Sequence, residues 1–224
     1  YYRNQLEELL TQYGEIFEVW FDGANGGDGY YGGARETRRI DAQTYYNFPA
    51  LWALVRELQP NAILFSDAGP DIRWVGNEAG YASATCWAKM HPGGIAPGKV
   101  DDLNRLGWGE ADGTEWRPAE VDVSIRPGWF HHPHEAPRPL DELFAIHGAC
   151  IGRGCCLLLN LPPDRRGLIP DDDIARLREY RAALDARYGH DAAAGKPAAA
   201  SETRGDAPVF AAANVTDGNT DTYW

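Results

Sequence analysis

Apolar, β-rich runs alternate with amphipathic helices along most of this chain, and that rhythm restricts the fold more than anything else in it. Leu6, Leu9, Leu10 and Tyr13 recur at helical spacing within Tyr1–Tyr13, and Gly14 stops the helix. Ile16–Phe21 then reads as a strand of aromatic and β-branched residues. A Gly-rich stretch, Gly23–Gly33, predicts a long functional loop rather than a regular element. Asp41–Leu58 predicts a helix with Phe48, Leu51, Trp52, Val55 and Leu58 on one face, closed by Pro60. Strands follow at Ala62–Phe65, at Ser83–Trp87 as a short one, and at Val121–Ile125. Leu140–Ile151 reads as a helix, Cys155–Leu161 as a strand covered on both faces, and Asp171–Tyr188 as a helix with acids favourably placed in its first turn. Such alternation means parallel strands joined by crossover helices. About five strands appear, where a closed (β/α)8 barrel needs eight and about 250 residues. The expected class is therefore α/β: the C-terminal half of a (β/α)8 barrel over residues 1–189, cut from a longer protein. An Ala/Gly/Pro-rich linker is expected over 190–207. Residues 208–224 have a different character, with Asn, Thr, Asp and Gly leading to Tyr223-Trp224.

Charge and composition exclude several classes. With 33 acidic residues against 21 basic ones the net charge is −12, which repels a general nucleic-acid partner. No apolar run reaches the roughly 18 to 20 residues of a membrane span. Eight Trp and eleven Tyr supply flat faces suited to stacking on sugar rings. Four Cys make no disulfide scaffold and have no CxxC spacing, so Cys155 and Cys156 are expected as reduced core thiols.

Three segments could carry chemistry. Asp22 follows an apolar parallel strand and precedes Gly23. At the C-terminal end of a barrel strand it faces either the substrate pocket or nearby backbone N–H groups as a loop cap. Residues 69–78 gather Asp71, Arg73, Trp74 and Glu78 in what reads as a loop. Paired carboxylates at neighbouring strand ends are what glycoside hydrolysis requires, although Asp71 could instead be pinned by an Arg. Glu120 and Asp122 share a strand face, and a buried pair closed by Arg126 is favoured over direct catalysis. His131, His132 and His134 sit among prolines, so an exposed or sugar-contacting loop is favoured over a metal site. The segment GANGGDGYYGG is no phosphate loop.

The strings EVWFDGANGGDGYYGG, LQPNAILFSDAGPDIRWVGNEAG, WRPAEVDVSIRPGWF and GRGCCLLLNLPPDRRGLIP occur in order over about Tyr1–Tyr188. In them the chain resembles the α-L-fucosidases of glycoside hydrolase family 29, in the branch acting on α-1,3 and α-1,4 linkages. The resemblance implies a retaining exo-hydrolase of terminal fucose on oligosaccharides or glycoconjugates, with no cofactor and no catalytic metal. It implies Asp22 as nucleophile and Glu78 as general acid/base, brought together from adjacent strands, with the Glu78 pKa above that of Asp22. It also implies Trp20, Arg73 and Trp129 as pocket walls, an aromatic covering the fucose methyl and Arg73 binding hydroxyls. HHPHEAP departs from the branch's usual run after the WF pair, and the Tyr-rich loop Gly26–Gly33 is longer than usual. Residues 213–224 are similar to the opening of a discoidin-like or family 32 carbohydrate-binding module, in which Asp217 would hold a structural Ca²⁺ were the module complete. The longer parent is expected to be secreted, periplasmic or on the cell surface. The rival readings are a non-catalytic sugar-binding protein on an inactive barrel, which the presence of both acids argues against, and a barrel glycosidase of other sugar specificity.

Overall fold

The structure, a computed structural model, describes residues 1–22, 27–33 and 35–224. Helix α1 (Tyr2–Gln12) leads into strand β1 (Glu18–Trp20). The Gly-rich stretch is not all irregular: β2 (Gly27–Gly29) pairs antiparallel with β3 (Arg38–Ile40) around a 3-10 turn at Tyr31–Gly33. The rest of that expected loop, residues 23–26, lies outside the described residues, as does residue 34. The expected helix over Asp41–Leu58 is two helices, α2 (Ala42–Tyr45) and α3 (Phe48–Leu58). Asn47 between them is left-handed, with φ 49°. Pro49 explains the break: without an N–H and with a bulky ring, it is accommodated in the first turn of a helix but not in its interior.

Strand β4 (Ile63–Ser66) is followed after five residues by β5 (Ile72–Trp74), which the sequence reading had taken for loop. Parallel neighbours normally need a crossover of a dozen residues or more. Here the register begins β5 beside the end of β4, Phe65 against Ile72 and Ser66 against Arg73, so the chain has little distance to retrace. Asp71 braces the step: its Oδ2 accepts the Leu64 N–H at 2.8 Å and its carboxylate pairs with Arg56. The Arg that pins Asp71 is thus Arg56.

A long excursion separates β5 from the next strand of the main sheet, β10 (Ala119–Ser124). It carries the paired strands β6 (Lys89–Met90) and β9 (Glu115–Trp116), the hairpin β7 (Ile95–Ala96) and β8 (Lys99–Val100), and helix α4 (Leu103–Trp108), N-capped by the Asp102 side chain. No strand forms at Ser83–Trp87. Then come β10 (Ala119–Ser124), α5 (Leu140–Ala149), β11 (Cys156–Asn160) and α6 (Asp171–Tyr188). The main sheet is parallel throughout, in the order β1-β4-β5-β10-β11.

Burial follows the pattern that made these elements readable. Leu6 and Leu10 of α1 pack with Leu51, Leu54 and Val55 of α3 on Leu64 of β4. Val75, Val121, Cys150 and Cys155 form a second cluster. Ala68, Met90, Ile95 and Leu106 close a third under the excursion. The chain separates into two compact units, Tyr1–Ile174 and Ala175–Trp224. In the second, residues beyond α6 form 3-10 turns at Arg204–Asp206, Pro208–Phe210 and Ala212–Thr216, with no strand among the described residues. Asp217 there accepts the Asn219 N–H and the Thr222 hydroxyl at 2.8 and 2.7 Å.

Candidate active site

Alternation along each strand decides what faces the centre of the sheet. Registered partners share a face, so Trp20 lies beside Phe65, Trp74 beside Glu120, Asp122 beside Leu158, and Ser124 beside Asn160. Val121 and Val123, on the other face of β10, are fully buried. At the C-terminal ends of the strands the first face opens into a cavity of about 920 Å³. Asp22, just past β1, and Glu78, just past β5, both line it, together with Asp67, Asp122, Trp20 and Trp129. The strands that lead to Asp22 and to Glu78 are not adjacent as expected, since β4 lies between them.

Each of three tryptophans at this cavity places its indole N–H on a carboxylate. Trp20 donates to Glu120 Oε1 at 2.8 Å and stacks on Phe65, with ring centroids 4.3 Å apart and planes 6° apart. Trp74 donates to Asp122 Oδ1 at 2.7 Å, and Trp129 to Glu78 Oε2 at 2.9 Å. An indole has a single donor, and burying it without an acceptor is costly, so these acids fix the orientation of the ring faces. Asn160 adds a further tie, its Nδ2 donating to the Trp129 carbonyl at 3.1 Å and to Ser124 Oγ at 3.0 Å.

The acids beneath the cavity titrate high. Burial pushes Glu120 up to about 7, against the Trp20 hydrogen bond and with added repulsion from Glu18 and Asp122. Burial likewise raises Asp122, opposed by the Trp74 N–H and reinforced by Glu78 and Asp22. Asp67 is raised chiefly by burial, although its Oδ2 accepts the Gly98 N–H at 2.8 Å, and Asp22 adds repulsion.

Two expectations, both about arginines, need correction. Arg73 does not line the cavity: next to Trp74 on a three-residue strand, it must point to the opposite face. It is fully buried there, donating to the carbonyls of Leu106 and Trp87, both at 2.9 Å, and to that of Arg117. Arg126 does not close a network with Glu120 and Asp122. It lies past the end of β10 and pairs with the first turn of α6, donating to Asp173 at 3.0 Å and Asp172 at 2.8 Å. His132 and His134 are exposed, and among the described residues no group of three or more His, Cys, Asp or Glu is arranged to hold a metal. Asp67 was missed, whereas Trp74, placed by the sequence analysis in a loop, sits on β5. Asp67 stands at a strand end as Asp22 does, and the same rule applied to Ala62–Phe65 would have found it.

Fold and site together give parallel strands whose C-terminal ends surround a cavity walled by carboxylates and tryptophans, an arrangement that suits glycoside hydrolysis. No family model matches the chain. It is 41% identical over 227 aligned positions to α-L-fucosidase 1 of Arabidopsis thaliana, with all of this chain covered and 42% of that protein. It superposes on the crystal structure of a glycoside hydrolase 29 family member from an unknown rumen bacterium with a TM-score of 0.81 and 41% identity, over 91% of this chain and 36% of that one. A Ruminococcus gnavus family 29 fucosidase in complex with fucose gives 0.78 at 28% identity, over all of this chain and 45% of that one. The chain is thus homologous to α-L-fucosidases and to solved family 29 structures, its parallel sheet matches part of theirs, and it spans less than half the length of these relatives.

Proposed function

We propose that the full-length protein is a retaining exo-α-L-fucosidase acting on terminal α-1,3- or α-1,4-linked fucose of oligosaccharides or glycoconjugates. The observation that carries this reading is that Asp22 and Glu78, far apart in sequence, line one cavity with Trp20 and Trp129. The relative solved with fucose supports the choice of sugar. Asp22 attacks the anomeric carbon while Glu78 gives its proton to the departing glycosidic oxygen. The fucosyl-Asp22 ester forms, and Glu78 then takes a proton from the water that cleaves it. Such a mechanism places the two carboxyl groups about 5 Å apart. Trp129 holds Glu78 by Oε2, which leaves Oε1 as the oxygen to carry the transferable proton. The wall of Trp20 and Phe65 suits the apolar face and C5 methyl of fucose. No cofactor enters these steps. On the residues alone, we also read 208–224 as the start of a discoidin-like sugar-binding module and the parent as a protein working outside the cytosol.

The test uses the full-length protein and aryl fucosides. Asp22→Ala should lower turnover by about 10⁴-fold or more. Glu78→Ala should still be fucosylated by a substrate with a good leaving group, and azide should rescue it by forming the α-fucosyl azide, as retention demands. Wild-type-like rates in either variant, or a β-azide product, would remove the assignment. Faster release from an aryl α-galactoside than from the fucoside would reassign the sugar, and preference for α-1,2-linked fucose would reassign the branch.

A further inference from the structure

On the face of the sheet away from the cavity, two thiols far apart in sequence meet. Cys155, just before β11, donates its S–H to Cys86 Sγ across 3.4 Å. Cys155 is buried and Cys86 half-buried, beside the core cluster of Val75, Ala82, Val121 and Cys150. The third member is Arg73, whose Nη2 lies 3.6 Å from Cys86 Sγ. This guanidinium is fully buried, its remaining bonds run to backbone carbonyls, and among the described residues no carboxylate forms an ion pair with it. A guanidinium so placed favours the thiolate of the sulfur beside it, which is the nucleophilic form of a cysteine.

We propose that Cys86 and Cys155 are a disulfide site, closed by exchange with a small-molecule disulfide of the glutathione type. Their electrostatics divide the labour. Cys86 is lowered to about 7, first by the hydrogen bond from Cys155 and then, against burial, by Arg73. Cys155 moves the opposite way, raised by the same hydrogen bond and by burial. The half-buried Cys86 thiolate attacks one sulfur of glutathione disulfide, forms the mixed disulfide and expels one glutathione thiolate. Cys155 then gives up its proton, and its sulfur attacks the Cys86 sulfur and expels the second glutathione. Two protein thiols are oxidised while one disulfide is reduced to two thiols. Bond formation brings the sulfurs from 3.4 Å to about 2.0 Å. Cys150 is engaged elsewhere, donating to the Cys156 carbonyl at 3.0 Å, and Cys156 is the exposed thiol. The bond would close a loop between residues 69 apart in sequence, taking in most of the excursion together with β10 and α5, and so would constrain the unfolded chain strongly.

Full-length protein is equilibrated at pH 8 with glutathione disulfide or with reduced glutathione, alkylated, and mapped by mass spectrometry without reduction. The expected product links the Cys86 and Cys155 peptides, forms equally in Cys156→Ser, and is absent from Cys86→Ser and Cys155→Ser. The oxidised wild type should melt higher than the reduced form by about 5 °C or more, a gap missing from Cys86→Ser. Recovery of Cys86 as a lasting glutathione adduct, as a free thiol while Cys156 is modified, or linked to Cys150 or Cys156 would overturn the proposal. The wild-type map decides the matter even if a serine variant fails to fold.

Discussion

The Trp129 side chain ties down Glu78 and the Glu120 side chain accepts from Trp20, and the two contacts matter differently, the first for turnover and the second for stability. Trp129→Phe keeps the ring surface but removes the N–H that holds Glu78 Oε2. On the reading proposed above, Glu78 then loses its fixed orientation, and kcat should fall about 10- to 100-fold with KM changed much less, as steady-state kinetics on an aryl fucoside would report. Glu120 bears on stability. Folded, it holds its proton up to about pH 7, whereas an unfolded Glu releases it near 4.3. Between these values the folded state binds more protons, so stability declines as pH rises through the window, and the full penalty is present above it. Glu120→Gln keeps an acceptor for Trp20 and carries no charge. It should be more stable than wild type at pH 8 by on the order of 1–3 kcal/mol, the gap closing towards pH 4.5 in urea titrations. At this scale Asp22 stood out in the sequence because a strand end is marked by the Gly after it, whereas Glu78 stood out as an acid in an apparent loop and drew its role from the family resemblance. Arg73 could not be placed, because a side chain's face depends on whether its segment is a strand, and β5 had not been recognised.

The step from β4 to β5 shows why that strand is hidden. Sequence patterns reveal a parallel pair chiefly through the helix between its members, and here five residues replace the helix. Asp71 takes the helix's place in fixing the geometry, satisfying the Leu64 N–H and pairing with Arg56. Asp71→Ala should therefore cost about 2–3 kcal/mol in chemical denaturation, because a backbone donor in the sheet loses its acceptor. Asp71→Asn should recover part of the loss by restoring the acceptor without the ion pair. Helices α1, α5 and α6 were read closely, since their apolar spacing or acidic first turns are local signals. The break at Asn47 was signalled too, by Pro49, but the apolar face on either side of it suggested one continuous helix. Helix α4 was missed because six residues containing a Gly and ending in Trp108 are too short for a periodic pattern. The expected strand at Ser83–Trp87 fails for the opposite reason: a few β-prone residues carry no information about a pairing partner.

For the whole molecule, five strands were expected and five form the main sheet, yet one of the expected five was wrong and β5 made up the number. What the count implied survives, because five parallel strands in one sheet leave two outer edges. Among the described residues, β1 and β11 have a strand partner on one side only. Trp20, at the β1 edge and on the cavity face, is 36% exposed, and nearby Phe17 is 77% exposed. Unpaired edges beside exposed aromatics recruit further strands. Residues 1–224 expressed alone should therefore self-associate, eluting early in size-exclusion chromatography and binding a hydrophobic dye. They should show no fucoside turnover despite containing both Asp22 and Glu78, because one side of the sugar would meet water instead of protein. A protein extended to the length of the Arabidopsis relative should be freed of both defects together, since the same added strands would cover the edge and wall the cavity. A monomeric 224-residue chain with the turnover of the longer protein would show that five strands suffice for the site, and the cavity would then have to be complete as it stands.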